Sequence, residues 1–453
     1  MTPRQIADHP PDAPACGCGT PGEGALDRAR ARMRRTGQWN PSQAMGRRWP
    51  IGCVALEITQ RCNLDCTLCY LSDSAEAVKD LPLQEVYRRI DQIFLTYGAG
   101  TNVQVTGGDP TLRKREELVA IVRRVASLGM RPSLFTNGIK ATRDLLAELA
   151  EAGLVDVAFH VDLTQERKGF ETEAALNAVR AAYIERARGL GVMVVFNTTI
   201  FDGNAHEVEG LARFFAANAD VVGLASFQMQ AETGRGALGG RQAELTPDAL
   251  QDAIEQGLGC CLPTGAVRPG HAECNRYGIV LTCGGRTVPI VARDAFAGEM
   301  LEATIGLDPD RRAPARAAAQ IARWLLRRPM LAARAVAWAA ARAWALRAGL
   351  RHGRPRKLTF FIHNFMDARR LDPDRIEACV FAVAGANGMT PMCLHNARRE
   401  AAILAPVRLE TDEGARYWDP STGETHAQPT SEPTPLTRKT ARGARRLALK
   451  EAP

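Results

Sequence analysis

Three cysteines stand within eight residues in the run Cys62-Asn-Leu-Asp-Cys66-Thr-Leu-Cys69. Thiolates are the soft ligands that iron–sulfur clusters take, and three on one short loop can hold three corners of a four-iron, four-sulfur (4Fe-4S) cube. The fourth iron then stays open to a small molecule. A structural zinc site takes four ligands in CxxC pairs, which this run does not supply. The spacing therefore favours a 4Fe-4S cluster with an open iron over zinc or three buried core thiols.

Residues with ligand-binding potential follow the next predicted strands along the chain. The run Thr106-Gly107-Gly108-Asp109-Pro110 ends the second strand, and Thr136-Asn137-Gly138 ends the third. His160-Val-Asp162 ends the fourth strand and Asn197-Thr198 the fifth. Paired glycines let the backbone approach a ligand closely, and a carbonyl or carboxylate beside them can bind an ammonium group.

The elements that position these residues alternate between apolar strands and helices. Strands are predicted at 54–59, 102–106, 132–136, 155–161, 192–199 and 221–229, with helices near 83–97, 113–128, 141–152, 171–190 and 205–217. Continuously apolar strands separated by helices indicate a buried parallel sheet with right-handed crossovers. Six such units predict an α/β fold, a partial (βα)6 TIM-like barrel, in which chemistry sits at the carboxyl ends of the strands.

The cysteine run and the glycine turn together resemble the radical S-adenosylmethionine (SAM) enzymes. Cys62, Cys66 and Cys69 match their CxxxCxxC signature, and Gly107-Gly108-Asp109 is similar to their GGE motif with Asp in place of Glu. The resemblance implies a SAM-binding 4Fe-4S cluster and SAM as cofactors. It further implies that SAM is split into methionine and a 5′-deoxyadenosyl radical, which removes hydrogen from an unactivated carbon. The implied SAM contacts are Gly107, Gly108, Asp109, Pro110, Thr136, Asn137, Asp162 and Asn197.

A second set of cysteines lies beyond the barrel. Cys274 and Cys379 each precede a strand, a tight turn and a proline, and Cys393 follows the second proline by two residues. Facing hairpins can gather dispersed thiolates around one metal centre. We expect Cys261, Cys274, Cys379 and Cys393 to bind a second 4Fe-4S cluster, with buried free thiols as the alternative.

This later region resembles one subgroup of the radical SAM enzymes more closely. Its residues Asn364-Phe-Met-Asp367, Arg375-Ile-Glu-Ala-Cys379 and Pro391-Met-Cys393 are similar to motifs of the subgroup that contains the 7,8-dihydro-6-hydroxymethylpterin dimethyltransferase and the tetraether lipid synthase. Those relatives carry a longer cysteine-rich N-terminal module. Here only Cys16 and Cys18 remain, so no metal site is assigned to them.

The charge of the chain is concentrated in one segment. The 453 residues carry a net charge of +8, yet residues 311–357 hold 13 basic and no acidic residues. Arg316, Arg323 and Arg327 fall on one helical stripe with tryptophans nearby, which suits anionic lipid headgroups as well as a solvated helix face. Because the rest of the chain is net acidic and shows no recognition module, we expect no nucleic-acid partner.

Composition changes divide the chain into four predicted parts. These are a flexible N-terminal extension at 1–50, the radical SAM core at 51–240, an auxiliary-cluster region at 241–405 with a basic Ala/Arg helical segment at 310–357, and a disordered basic tail at 406–453. The start of the chain shows no signal-peptide pattern, and every long apolar run is interrupted by arginine. We therefore expect a cytoplasmic protein, with peripheral contact at the inner face of the membrane through 311–357.

The leading functional hypothesis is an enzyme that forms carbon–carbon bonds or methylates a lipid or another small apolar metabolite. It would need a low-potential electron donor of the flavodoxin or ferredoxin type. Two alternatives stay open: a radical SAM peptide maturase, and a non-catalytic iron–sulfur binding protein. The sequence does not choose between methylation and coupling.

Overall fold

The computed structural model describes residues 20–238, 245–291, 294–307, 313–412 and 414–429, so Cys16 and Cys18 lie outside the described residues. Its strands are β1 (Cys53–Thr59), β2 (Asn102–Gly107), β3 (Arg131–Thr136), β4 (Asp156–His160), β5 (Met193–Ile200), β6 (Val222–Met229), β7 (Asn275–Cys283), β8 (Arg286–Pro289), β9 (Arg356–Asn364), β10 (Phe381–Gly385), β11 (Gly388–Pro391), β12 (Val407–Thr411), β13 (Gly414–Trp418) and β14 (Thr425–His426).

Helices connect and cover these strands. They are α1 (Ala25–Arg35), α2 (Leu83–Tyr97), α3 (Arg115–Ser127), α4 (Arg143–Glu151), α5 (Glu173–Ala187), α6 (Val208–Ala217), α7 (Pro247–Leu258), α8 (Asp294–Ala303), α9 (Pro314–Leu326), α10 (Pro329–Leu346), α11 (Pro373–Glu377), α12 (Met392–Ala397) and α13 (Arg399–Leu404). The six strands and five helices predicted for the core are confirmed as β1 to β6 and α2 to α6, with ends displaced by at most a few residues.

The central sheet has eleven strands in the order β11-β10-β1-β2-β3-β4-β5-β6-β9-β7-β8. Neighbouring strands are parallel from β10 through β9, while β11, β7 and β8 pair antiparallel at the two ends. In β1 the side chains alternate: Val54, Leu56 and Ile58 pack against the helices, and Ala55 and Glu57 line the cavity inside the sheet. The predicted TIM-like α/β barrel is therefore confirmed.

The two edges of the parallel part approach each other. The rings of Phe361 and His363 on β9 lie 6.1 and 5.2 Å from the ring of Phe381 on β10. No backbone pairing joins β9 to β10 within the described residues. The sheet is therefore curled into a barrel that side chains, not hydrogen-bonded strands, close at one seam.

The region predicted at 241–405 differs from the expectation that the core barrel ends at residue 240, because it adds the parallel strands β9 and β10 to opposite edges of the barrel. The tail prediction also differs, since β12, β13 and β14 form a small antiparallel sheet that buries Trp418 against Val407 and Leu409. Alternation of apolar and charged residues along β12 is the local reason. The helical segment predicted at 310–357 is divided near Pro329, where α9 ends and α10 begins.

The N-terminal extension is also more ordered than predicted. Helix α1 buries Ala25, Ala29 and Met33, which recur every four residues on one face. Met33 packs with Ala378 and Val380, immediately before β10. Because arginines lie between these positions, the apolar face is not evident from the sequence. Residues 20–50 therefore support the last strand of the barrel.

A buried ion pair fixes α5 to the end of β4. The Arg180 guanidinium donates to the Glu173 carboxylate and, over 2.8 Å, to the carbonyl oxygen of Val161. The same carboxylate accepts hydrogen bonds from the backbone N–H of Leu163 and from Asn204. Burial raises the pKa of Glu173, although Arg180 opposes this shift. The pair therefore positions the loop that follows β4.

Replacing Arg180 with Leu should lower the free energy of unfolding by about 3–5 kcal/mol, because it leaves the Glu173 carboxylate buried without its cation. Urea unfolding of the apoprotein measures the loss. The matched control is Arg188→Gln, which breaks an exposed pair with Asp220 and should cost no more than about 1 kcal/mol. Equal effects of the two variants would contradict the assigned role of Arg180.

Candidate functional site

The cysteine loop leaves the carboxyl end of β1 and borders a cavity of about 220 Å³ inside the barrel. Cys62, Cys66 and Cys69 all line this cavity. Burial raises the pKa of the Cys62 thiol to about 11, and the charge of Cys69 adds to that shift. No three His, Cys, Asp or Glu side chains in the described part of the chain are close enough to hold one metal ion. Three thiols spread around one cavity fit a polynuclear group, in which each thiolate binds a different metal atom.

The loop is held in place by the segment that follows β6. The N–H of Gly236 donates to the Cys69 carbonyl over 3.0 Å, and the N–H of Arg235 donates to Leu71 over the same distance. The Arg235 side chain is buried and lies 3.6 Å from the Asp65 carboxylate inside the cysteine run. The segment after β6 therefore fixes the loop at both its middle and its end.

The glycine turn after β2 fixes the start of the loop from the other side. The N–H groups of Gly108 and Asp109 donate to the carbonyls of Thr59 and Arg61 over 2.9 and 2.8 Å. A Cβ atom on Gly107 would lie 1.8 Å from the Thr59 carbonyl oxygen, and one on Gly108 would lie 2.1 Å from that of Arg61. Gly107 also has a φ of 130°, which side-chain-bearing residues rarely adopt. Both glycines line the cavity.

Asp109 does not line the cavity, which differs from the prediction. Its buried carboxylate accepts hydrogen bonds from the Thr136 hydroxyl at 2.8 Å, from the Asn137 N–H at 2.9 Å and from Thr111. Pro110 likewise lies outside the lining residues. The shorter side chain of Asp thus ties the glycine turn to the end of β3, so we assign Asp109 a positioning role.

Three of the remaining predicted contacts face the cavity: Thr136, Asn137 and Asn197. The Asn137 amide nitrogen lies 3.9 Å from the Cys62 sulfur and donates to the Asn63 side chain over 2.7 Å. An amide donor beside a ligand sulfur is the kind of hydrogen bond that tunes an iron–sulfur cluster.

Asp162 is fully buried and does not line the cavity. Its partner His160 does line it. The His160 Nε2 atom lies 2.7 Å from the carboxylate, which also accepts the Thr199 N–H. Burial alone would raise the pKa of Asp162, but His160 and hydrogen bonds from Thr164 and Thr199 outweigh it and lower the pKa to about 2. Burial would lower the pKa of His160, yet Asp162 raises it. The predicted residue Asp162 therefore orients His160.

The cavity also contains a cation that the sequence did not reveal. Arg399, which begins α13, donates to the Glu57 carboxylate over 2.7 Å and stacks on the Tyr70 ring with its guanidinium carbon 4.5 Å from the centroid. The Tyr70 hydroxyl donates to the Gly107 carbonyl over 2.6 Å. His395 lies 3.5 Å from the same Glu57 carboxylate. No local signal marks Arg399, because its partners come from the first strand and the cysteine loop.

Three of the four cysteines predicted for a second cluster, Cys274, Cys379 and Cys393, are fully or partly buried. Burial raises the pKa of Cys274 to about 11 and that of Cys393 to about 12, and Cys379 adds to both shifts. Arg375 donates to the Cys274 sulfur over 3.2 Å. Cys261 differs from the prediction: it is exposed after α7 and lies beside Cys260. Cys274 and Cys379 lie at the barrel seam, since Cys379 precedes β10 and the Cys274 carbonyl accepts from Asn364 at the end of β9, while Cys393 packs with Met366 and Ile376.

Comparison with known proteins agrees with this geometry. Residues 56–215 match the family model of the radical SAM superfamily. The chain therefore carries a radical SAM domain, and proteins with this domain are enzymes that use a 4Fe-4S cluster and SAM.

Curated relatives with different activities share this domain. The chain is 29% identical over 186 residues to the 7,8-dihydro-6-hydroxymethylpterin dimethyltransferase of Methanocaldococcus jannaschii, covering 40% of this chain and 36% of that protein. It is 32% identical over 168 residues to a probable GTP 3′,8-cyclase of Pyrococcus abyssi, covering 36% and 53%. It is 34% identical over 169 residues to the PqqA peptide cyclase of Methylobacterium nodulans, covering 36% and 42%. The matches therefore span about half or less of each relative.

Gly108→Ala should displace the cysteine loop, because its Cβ has no room against the Arg61 carbonyl. We expect a loss of about 1–3 kcal/mol in the free energy of unfolding and a weaker iron–sulfur absorption after anaerobic reconstitution. The control is Gly210→Ala on α6, where a Cβ meets nothing within 4 Å. That exposed helical site should be unchanged or stabilised by up to about 1 kcal/mol. Normal cluster loading in Gly108→Ala would contradict the steric role.

Proposed function

We propose that this chain uses SAM and a 4Fe-4S cluster at Cys62, Cys66 and Cys69 to remove hydrogen from an unactivated carbon of a lipid or another small apolar metabolite. The outcome we propose is carbon–carbon bond formation or methylation. The observation that carries the proposal is the single cavity shared by the three thiols and the glycine turn. When bound, the cluster and SAM would supply the 5′-deoxyadenosyl radical.

The residues of the chain bind and orient in this scheme. The thiols of the loop hold the cluster, and the Asn137 amide donates toward the Cys62 sulfur. The backbone of Gly107 and Gly108, together with Asn197, lines the space beside the thiols. These groups offer the carbonyl oxygens and amide side chains that hold the polar parts of SAM. Arg399 provides a buried positive charge at the same cavity.

The rest of the cavity supports an apolar substrate. Its lining includes the side chains of Phe135, Met229, Phe365, Met366 and Met392. Methionine side chains adapt their shape to irregular apolar ligands, and aromatic rings offer large contact areas. No general base is needed for hydrogen-atom removal, which agrees with a site rich in apolar and amide groups.

A peptide substrate is the second candidate, and the similarity to PqqA peptide cyclase favours it. The two candidate functions are distinguished by which substrate the protein modifies. Incubation of the reconstituted protein with SAM, reductant and a lipid extract should give a product whose mass differs from that of the substrate. A peptide modified under the same conditions, with lipids unchanged, would select the maturase instead. The physiological reductant that we propose is a flavodoxin or ferredoxin in the cytoplasm.

Anaerobic protein reconstituted with iron and sulfide should release 5′-deoxyadenosine from SAM when dithionite is added, measured by chromatography. Cys62→Ala, Cys66→Ala and Cys69→Ala should each reduce the product to background, because each removes a cluster ligand. Cys261→Ala removes an exposed thiol and should leave the product unchanged. Wild-type protein that binds a cluster but releases no 5′-deoxyadenosine would support the non-catalytic alternative.

We also propose a second iron–sulfur cluster at Cys274, Cys379 and Cys393. Support comes from their full or partial burial and from the place of Cys274 and Cys379 at the seam between β9 and β10. A cluster there would join β9 and β10, which do not pair with each other within the described residues. The Arg375 hydrogen bond to the Cys274 sulfur would stabilise the thiolate form.

The double variant Cys274→Ala, Cys393→Ala should lower the iron content from about eight to about four atoms per chain. It should keep the 5′-deoxyadenosine release of the first cluster, which lies in a separate loop. Iron is measured by a colorimetric assay on reconstituted protein, with Cys261→Ala as the control. A wild-type content of only about four iron atoms per chain would disprove the second cluster.

A further inference from the structure

The helix pair α9–α10 leaves a large apolar surface in contact with solvent. Among the described residues, twelve large apolar side chains are exposed, and six of them fall within 321–350. The most exposed are Met330 at 82%, Leu326 at 80% and Trp344 at 69%. Exposed apolar side chains concentrated on one pair of helices often mark a binding site. We call the exposed side chains of α9 and α10 the helix-pair face.

The opposite side of α10 anchors it to the rest of the protein. Leu331 and Leu346 are buried, and the Trp338 indole N–H donates to the Ile290 carbonyl over 2.7 Å, just after β8. The helix is therefore fixed with one side on the sheet. Its outward positions are mostly alanine with Val336 and Trp344. The exposed Arg334 on the same helix is paired with Glu299 of α8.

Arginines border the helix-pair face without any acidic residue between them. Residues 313–351 contain eight arginines and neither Asp nor Glu. The guanidinium carbon of Arg347 lies 4.3 Å from the Trp344 ring centroid, and that of Arg328 lies 4.5 Å from the Trp324 ring. Arg316 and Arg323 on α9, and Arg327 directly after it, are exposed. The face thus combines an apolar centre with a positive border.

This combination restricts the partner. A second copy of the chain would place two positive borders against each other, which costs energy. Residues 430–453 carry six basic and two acidic residues, so this segment is also repelled by the face. Nucleic acid would pair with the arginines but not with the apolar centre. The surface of a bilayer with anionic lipids satisfies both, because headgroups pair with arginine while acyl chains accept Trp and Leu.

We propose that the helix-pair face binds the surface of an anionic lipid bilayer, with α10 lying in the plane of the interface. No helix in the described ranges is long and apolar enough to cross the bilayer, so the contact is peripheral. The proposal is independent of the chemistry at the cysteine loop. It would place the enzyme where an apolar substrate is dissolved.

Sedimentation of the full chain with vesicles tests this surface. Vesicles of phosphatidylcholine with about 30% phosphatidylglycerol should bind the protein, and binding should weaken as salt increases. Vesicles of pure phosphatidylcholine should bind it much more weakly. No binding to the anionic vesicles, or equal binding to both kinds, would overturn the proposal.

The triple variant Arg316→Gln, Arg323→Gln, Arg327→Gln should reduce partitioning onto anionic vesicles by on the order of 100-fold. Trp344→Ala should reduce it roughly ten-fold. The matched controls are Arg188→Gln with Arg213→Gln, which remove exposed arginines elsewhere, and Trp49→Ala, which removes another exposed indole. Retained binding in the triple variant, or equal loss in the controls, would place the contact elsewhere.

Two further readouts separate the alternatives. Light scattering should show the same mass for wild type and Trp344→Ala; a dimer that dissociates in this variant would make a second copy the occupant and overturn the bilayer proposal. Binding of a duplex DNA probe that competes with vesicles would do the same in favour of nucleic acid. Release of 5′-deoxyadenosine is measured in parallel. The helix-pair variants should retain it, so its absence in wild type would count against the proposed function alone.

Discussion

The close approach of two backbone segments underlies the whole site. The glycine turn after β2 lies so near the end of β1 that neither Gly107 nor Gly108 has room for a Cβ. Hydrogen bonds from Gly108 and Asp109 to Thr59 and Arg61 join the segments at the point where the cysteine loop begins. The position of the three thiols therefore follows from the contact between two neighbouring strands of the barrel.

Charges buried behind this contact connect the beginning of the domain to its end. Glu57 on β1 is almost inaccessible to water, and a lone carboxylate there would be costly. Arg399 and His395, from the C-terminal helices, supply the compensating groups, and the pKa of Glu57 falls well below its usual range despite its burial. Arg399 also stacks on Tyr70, which follows Cys69 directly. The C-terminal region is thus part of the cavity wall. The predicted boundary of the core at residue 240 does not include it.

Features encoded by nearby residues could be predicted from the sequence. Apolar runs such as 54–59 form strands wherever they are covered on both faces, and the CxxxCxxC spacing keeps its thiols on one loop. The orientation of the Asp109 carboxylate could not be predicted from the sequence, because its hydrogen bonds to Thr136 and Asn137, at the end of the next strand, determine it. The place of Arg399 likewise depends on contacts with Glu57 and Tyr70, more than 300 residues earlier in the chain. Helix α1 could not be predicted from its apolar pattern, because arginines lie between its buried residues.

The pairing of β1 with β10 has a consequence for how the protein is made. Cys53 pairs with Phe381, about 330 residues later in the chain. During translation, the edge of β1 that pairs with β10 therefore has no partner until residue 381 has been synthesised. A parallel edge that stays open for so long can pair with other nascent chains. This edge of the barrel can therefore be completed only after β10 has been synthesised.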